Sequence, residues 1–224
     1  MLEIGPGRWA HPSGALWLPA LRTAIIADAH FGYGWAQRRR GELGPLRDEV
    51  GPQRILAVID ELRPERVVLL GDIVHAPKPA PDERELVAAI LRNLAERAEL
   101  VLVRGNHDRS FSEDFELPLV DRWESQGLLA VHGDILPAGA RDHLVAGHWH
   151  PAWKLRDASG VSHRFPVFVS GDKLTVLPAF SPFAAGLDLA KGIPDEWKEI
   201  GGGRMRIYAA TGRTVVLVGE KASY

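Results

Sequence analysis

The residues of this chain best suited to chemistry lie in five short clusters. Asp28 and His30 stand in "IIADAH", Asp72 in "VVLLGDIVH", Asn106, His107 and Asp108 in "LVRGNHDR", His132 in "LLAVHGD", and His148 and His150 in "HLVAGHWH". Each cluster follows a run of apolar residues. A buried strand that ends in an amide, an imidazole and a carboxylate serves no packing purpose by those groups. Carboxylates, imidazoles and an amide oxygen are ligands for a divalent cation. Seven of them (Asp28, His30, Asp72, Asn106, His132, His148 and His150) divide into two sets of four if one carboxylate is shared. That division predicts a two-metal centre with the ions roughly 3.5–4 Å apart.

Those clusters require strands that deliver them to one place. Residues 24–27, 66–70 and 99–103 read as buried strands, and the segments between them, 45–62 and 81–98, as helices. The first helix is expected to start near Pro45. In the second, Leu86, Ile90, Leu94 and Ala98 define the apolar face, with acids in the first turn. Strand, helix, strand, helix, strand predicts parallel pairing with right-handed crossovers, hence an α/β fold. Ligands in such a sheet bind beyond the carboxyl ends of the strands. In Asp-x-His and His-x-His, an extended backbone would point residues i and i+2 the same way. Glycines 71, 105, 133 and 147 flank the polar residues and allow sharp turns there.

After residue 150 the pattern turns to short β segments, with hairpins expected at "SGDK" and "ATGR" and a flexible joint at Gly201, Gly202 and Gly203. No repeat marks a boundary, so one domain over residues 1–224 is expected.

Composition narrows the chemistry further. The chain has no cysteine, which excludes disulfides, thiolate metal sites and a cysteine nucleophile. A net charge of −2 gives no global attraction to polyanions, so a nucleic-acid partner needs a local basic patch. Neither a targeting segment nor a membrane span is evident, and a cytoplasmic location is expected.

The ordered set "DAH…GD…GNHD…H…GHWH" resembles the calcineurin-like metallophosphoesterases. "ADAHFGYGWAQRRRG", "GDIVHA", "RGNHDR" and "GHWHPAWKLRD…FPVFV…LPAFSPFAAGLD" are similar, more narrowly, to the ligase-associated branch (PdeM-like) and its archaeal relatives. The resemblance implies a four-layer α/β/β/α sandwich. It implies that Asp28, His30, Asp72 and His150 hold one ion. Asp72, Asn106, His132 and His148 would hold the second, with Asp72 bridging. His107 would be the catalytic histidine. "GDIVH" departs from relatives that carry an acid or a basic residue shortly after "GD"; His75 is placed in the pocket wall and not counted as a ligand.

The expected reaction is phosphoester hydrolysis dependent on two divalent metal ions, manganese foremost, with iron or zinc as alternatives. A metal-bridged hydroxide would attack the phosphorus, and His107 would protonate the leaving alkoxide. Asp108 either orients His107 as a second catalytic residue or serves as a turn or helix cap. Arg38, Arg39 and Arg40 are the substrate-binding candidates; the alternative is a solvated face offset by Glu42, Asp48 and Glu49. Trp35 and Trp149 stack on bases or simply pack. A phosphodiester, in nucleic acid or a small nucleotide-like molecule, is the expected substrate, with single-stranded or damaged DNA and DNA-repair proteins as candidate partners. The competing readings are a phosphomonoesterase and a non-catalytic metal-bound scaffold. Amidohydrolases and metallo-β-lactamase-like hydrolases are set aside, because their early His-x-His motifs are missing; no Gly-x-Ser-x-Gly turn is present either.

Overall fold

The computed structural model describes residues 1–42, 47–110, 117–137, 142–156, 159–184 and 186–222. The position expected for a helix start at Pro45 falls outside these. The first sheet holds β1 (Leu2–Gly5), β2 (Arg8–Ala10), β3 (Leu16–Leu18), β4 (Thr23–Ala27), β5 (Arg66–Leu70), β6 (Glu99–Val103) and β7 (Leu119–Val120), in that spatial order. From β4 to β7 the pairing is parallel. Three helices belong to this half: α1 (Tyr33–Arg39), α2 (Val50–Leu62) and α3 (Pro81–Ala95).

The second sheet contains β8 (Trp123–Ser125), β9 (Leu128–Val131), β10 (His143–Ala146), β11 (Pro151–Arg156), β12 (Ser162–Ser170), β13 (Leu174–Val176), β14 (Leu187–Asp188), β15 (Arg204–Ala210) and β16 (Val215–Ala222). β9 and β10 pair in parallel, and so do β10 and β13. A last helix, α4 (Asp195–Gly201), lies between β14 and β15.

Strand alternation builds the layers. In β4, Ala24 and Ile26 face α2 and α3, meeting Ile55, Ile59, Val87 and Leu94. Ile25 and Ala27 face the other way, into the space between the sheets, against Val145, Phe168 and Tyr208. The outer face of the second sheet, including Val167, Val169 and Ile207, is covered by Leu189, Ile193 and Trp197. Helices, sheet, sheet and helix make the four-layer sandwich.

The helices depart from expectation in detail. In α3 Pro81 occupies the first turn, where a missing N–H costs nothing, and Glu83 accepts from the Ala80 N–H at 3.2 Å. Its buried face is Glu83, Val87, Leu91 and Leu94, while Leu86 and Ile90 are half-buried. The observed face is rotated from the expected one and takes Glu83 into the core with it. The expected joint at Gly201–Gly203 is the end of α4, an element absent from the sequence reading, where Gly202 and Gly203 take positive φ. No helix among the described residues is long and apolar enough to cross a membrane.

Candidate metal centre

The carboxyl ends of β4, β5, β6, β9 and β10 meet at one edge of the sandwich. The loop after β4 is laced to the loop after β5: Asp28 N–H donates to Gly71 O, His30 N–H to Asp72 O, and Phe31 N–H to Ile73 O at 2.8 Å. Asp28 in turn accepts the His148 N–H on Oδ2 at 2.9 Å, which ties the first sheet to the second.

Convergence does not come from an extended backbone. Asp28 (φ 55°), His30 (φ 48°), Asp72 (φ 45°), His148 (φ 69°) and His150 (φ 49°) all adopt left-handed conformations. Side chains with a Cβ rarely do so, and such strain persists only where surrounding structure enforces it. The ends of β4, β5 and β10 therefore kink sharply and turn their polar residues inward. The flanking glycines are needed for space as well as for turning. A Cβ on Gly105 would stand 2.1 Å from Asp72 N, and one on Gly71 would stand 2.2 Å from His132 Nδ1.

The donor atoms fall into groups. His30 Nε2 is 3.3 Å from His150 Nε2, which is 3.3 Å from Asp28 Oδ1. His132 Nε2 is 3.0 Å from Asn106 Oδ1, 3.2 Å from His148 Nδ1 and 3.4 Å from Asp72 Oδ1. Asp72 joins His132 and His148 in one group and His30 and His107 in another, while Asp28, His30 and His150 form a third. A cation about 2.1 Å from each donor places donors about 3.0–3.4 Å apart in octahedral or tetrahedral coordination. The observed spacings match. Asp28 Oδ1 and His30 Nδ1 are buried without a hydrogen bond of good geometry, and Asp28 is fully buried. Buried carboxylates and imidazoles in this state are costly unless a cation compensates them. The clustered histidines and aspartates thus fit divalent-cation binding with oxygen and nitrogen ligands.

Protonation at His30, His148 and Asp28 agrees with ligation, whereas at His150, against the effect of its burial, Asp28 raises the pKa. Burial lowers His30 to about 3, so its imidazole is neutral at neutral pH. Burial also lowers His148, helped by His132 beside it. Burial alone would raise Asp28, but His150, His132 and His30 around it hold its carboxyl below the ordinary value. His132 Nδ1 lies 3.4 Å from Leu70 O, leaving Nε2 towards the other donors.

His107 borders the same cavity of about 280 Å³, with Tyr33, His75, Ser181 and Phe183 on the walls. Its Nδ1 donates to His75 O at 2.7 Å, and its Nε2 lies 3.9 Å from Asp72 Oδ2. Asp108, the other catalytic candidate, takes no part in that arrangement. Its oxygens accept from Val74 N at 3.1 Å and Gly105 N at 2.8 Å, and the residue is fully buried. The turn role is the one its hydrogen bonds describe. The carbonyl of His75 holds the imidazole instead, a backbone contact that no side-chain pattern encodes.

The basic run does not line the donor cavity, although the charge of Arg40 acts on His75 in its wall. Arg39 pairs with buried Glu83 at 3.3 Å and donates to Lys78 O at 3.1 Å. Arg38, Arg39 and Arg40 are exposed and none lines the 280 Å³ cavity. Trp149 packs edge-on against Trp197, with ring centroids 5.2 Å apart. Tyr33, Ser181 and Phe183 were not singled out from the sequence. Tyr33 and Phe183 stack with centroids 4.5 Å apart, a contact between residues 150 positions apart (183 − 33) that no local pattern encodes.

Comparison with known proteins agrees with this geometry. The nuclease MPE of Pseudomonas putida is 26% identical, with 94% of each chain covered and a TM-score of 0.70. A conserved protein of Streptococcus pneumoniae TIGR4, described as a predicted phosphoesterase, is 13% identical over 89% of this chain and 96% of the other, with a TM-score of 0.37. No curated protein sequence matches the chain. The family model described as calcineurin-like phosphoesterase matches residues 21–179, a span that contains every donor named above, and the chain belongs to that family.

Proposed function

We propose that this protein is a phosphodiesterase dependent on two divalent metal ions, acting on nucleic acid or a nucleotide-like diester. The observation that supports this reading is the gathering of donors into three overlapping groups, Asp28–His30–His150, His30–Asp72–His107 and Asp72–His132–His148, with Asn106 Oδ1 beside His132. Asp28, His30, Asp72 and His150 would hold one cation, and Asp72, Asn106, His132 and His148 the other. The donor set, imidazole and carboxylate without thiolate, suits manganese, iron or zinc, with manganese put first on the family resemblance. When bound, the cations supply charge neutralisation for phosphoryl oxygens and acidify water at neutral pH.

His107 is the general acid in this scheme. Because its Nδ1–H is held by His75 O, a second proton must reside on Nε2, the nitrogen nearer Asp72 and the cavity. From there it can pass to a departing alkoxide. Tyr33, Phe183 and His75 border the cavity and restrict how a substrate enters. The nuclease among the similar structures supports a diester substrate. Membership of the ligase-associated branch, and with it a cytoplasmic DNA-repair setting with protein partners, is part of the same proposal and rests on the motifs quoted above.

The test compares bis-p-nitrophenyl phosphate with p-nitrophenyl phosphate across manganese, zinc and magnesium. The diester should turn over faster, and fastest with manganese. Preference for the monoester would replace the reading with a phosphomonoesterase. Turnover of neither, with bound metal verified, would leave a scaffold.

A further inference from the structure

A second and larger hollow, about 670 Å³, opens beside the donor cavity and shares His150, Ser181 and Ala184 with it. The two are therefore adjacent. Its walls include Pro12, Pro151, Pro166 and Pro182, together with two cations, Arg54 and Arg164. Among the described residues no aspartate or glutamate lines it. In a chain of net charge −2, a groove with positive charge alone is a local departure from the whole.

Arg54 is held rigidly. Nη1 donates to Phe180 O at 2.6 Å, Nη2 donates to Ser13 O at 2.7 Å, and the guanidinium lies 4.5 Å from the Phe180 ring centroid. It is half-buried, yet it pairs with no carboxylate among the described residues. A cation withdrawn from water without a counter-ion is unfavourable unless an anion joins it. Arg164 is exposed on β12, opposite Lys154 in the register. Lys154 is engaged by Asp188 at 3.7 Å, whereas Arg164 makes no ion pair among the described residues. Prolines add apolar surface with little rotamer freedom to lose on binding.

We propose that this groove carries the single-stranded nucleic-acid chain on one side of the scissile phosphate, with Arg54 and Arg164 neutralising its backbone phosphates and the prolines packing against its sugars and bases. The proposal rests on the phosphodiesterase reading. It assigns the polyanion track to the His150 side of the centre rather than to Arg38–Arg40.

The experiment measures fluorescence anisotropy of labelled oligo-dT against salt, in EDTA so that no cleavage occurs, for the wild type, Arg164→Glu and Arg92→Glu. Arg92 lies in the last turn of α3, away from the groove, and its reversal changes net charge equally. Arg164→Glu should weaken binding about tenfold and flatten the log–log salt slope by about 0.7 or more. Arg92→Glu should leave the slope near wild type. Arg54→Lys, which keeps the charge but loses the fork, should weaken binding as well. With manganese, the ratio of oligonucleotide to bis-p-nitrophenyl phosphate turnover should fall in Arg164→Glu. Equal weakening by the Arg92 and Arg164 reversals, or oligo-dT binding unaltered by Arg164→Glu, would overturn the groove while leaving the phosphodiesterase reading intact. Failure of the wild type to hydrolyse bis-p-nitrophenyl phosphate would instead remove that reading itself.

Discussion

His30 Nε2 and His150 Nε2 face each other at 3.3 Å although 120 residues separate them in the chain. Asp28 Oδ1 completes the triangle at 3.3 Å from His150. Two imidazole nitrogens and a buried carboxylate oxygen at these spacings leave each other poorly satisfied and a cation well satisfied. Metal should therefore stabilise the fold. Adding manganese to chelator-treated protein is expected to raise Tm, by the equivalent of about 2.7 kcal/mol once the metal is at a hundredfold excess over Kd. A melting curve indifferent to manganese, zinc and magnesium would contradict the assignment of these donors.

His107 and Asp72 should separate chemistry from metal binding. His107→Ala is expected to retain its metal and lose about 10²–10⁴-fold in turnover, the usual range for a general acid. Asp72→Ala should lose metal and activity together, because Asp72 links the donor group of His132 and His148 to that of His30. Metal analysis alongside bis-p-nitrophenyl phosphate kinetics decides it. A fully metallated His107→Ala enzyme with wild-type rates would remove His107 from catalysis.

Asp108 should act on stability. Its carboxylate satisfies two buried amides, those of Val74 and Gly105. Asp108→Ala leaves both unpaired, at about 1–3 kcal/mol each, so a loss of about 2–6 kcal/mol is expected in chemical denaturation. If the variant is as stable as wild type but turns over slowly, a direct catalytic role for Asp108 returns.

His143 should make stability depend on pH. Burial, with Arg8 nearby, lowers it to about 4, while its ring pairs with Asp172 O at 3.1 Å and Thr175 Oγ1 at 2.8 Å. A folded-state value below the unfolded one means that the unfolded chain binds the proton more readily. The stabilisation is complete above about 6.5 and is lost as pH falls towards about 4. His143→Gln should reduce the drop in Tm between neutral and mildly acidic buffer. An identical pH profile in the variant would show that His143 does not carry it.

Much of this was legible in the sequence because it is local. Apolar runs at 24–27, 66–70 and 99–103 are strands, since residues buried on both faces need no alternation. The polar residues just beyond them identify the edge where a site must lie. Chain order and residue type also specified which donors were available: no thiolate, abundant imidazole, three carboxylates counting Asp108.

Tertiary structure decided what those residues do. The left-handed turns at Asp28, His30, Asp72, His148 and His150 exist because loops from two sheets brace one another, and propensity alone disfavours them. Asp108 and His107 are adjacent in sequence, yet one faces backbone amides and the other the cavity. Glu83 reads as a surface acid of α3 but is buried against Arg39, which draws that arginine away from the donors. Direction of a side chain, and the partner it meets, depend on packing between segments far apart in the chain, and that information is not contained in any local stretch of sequence.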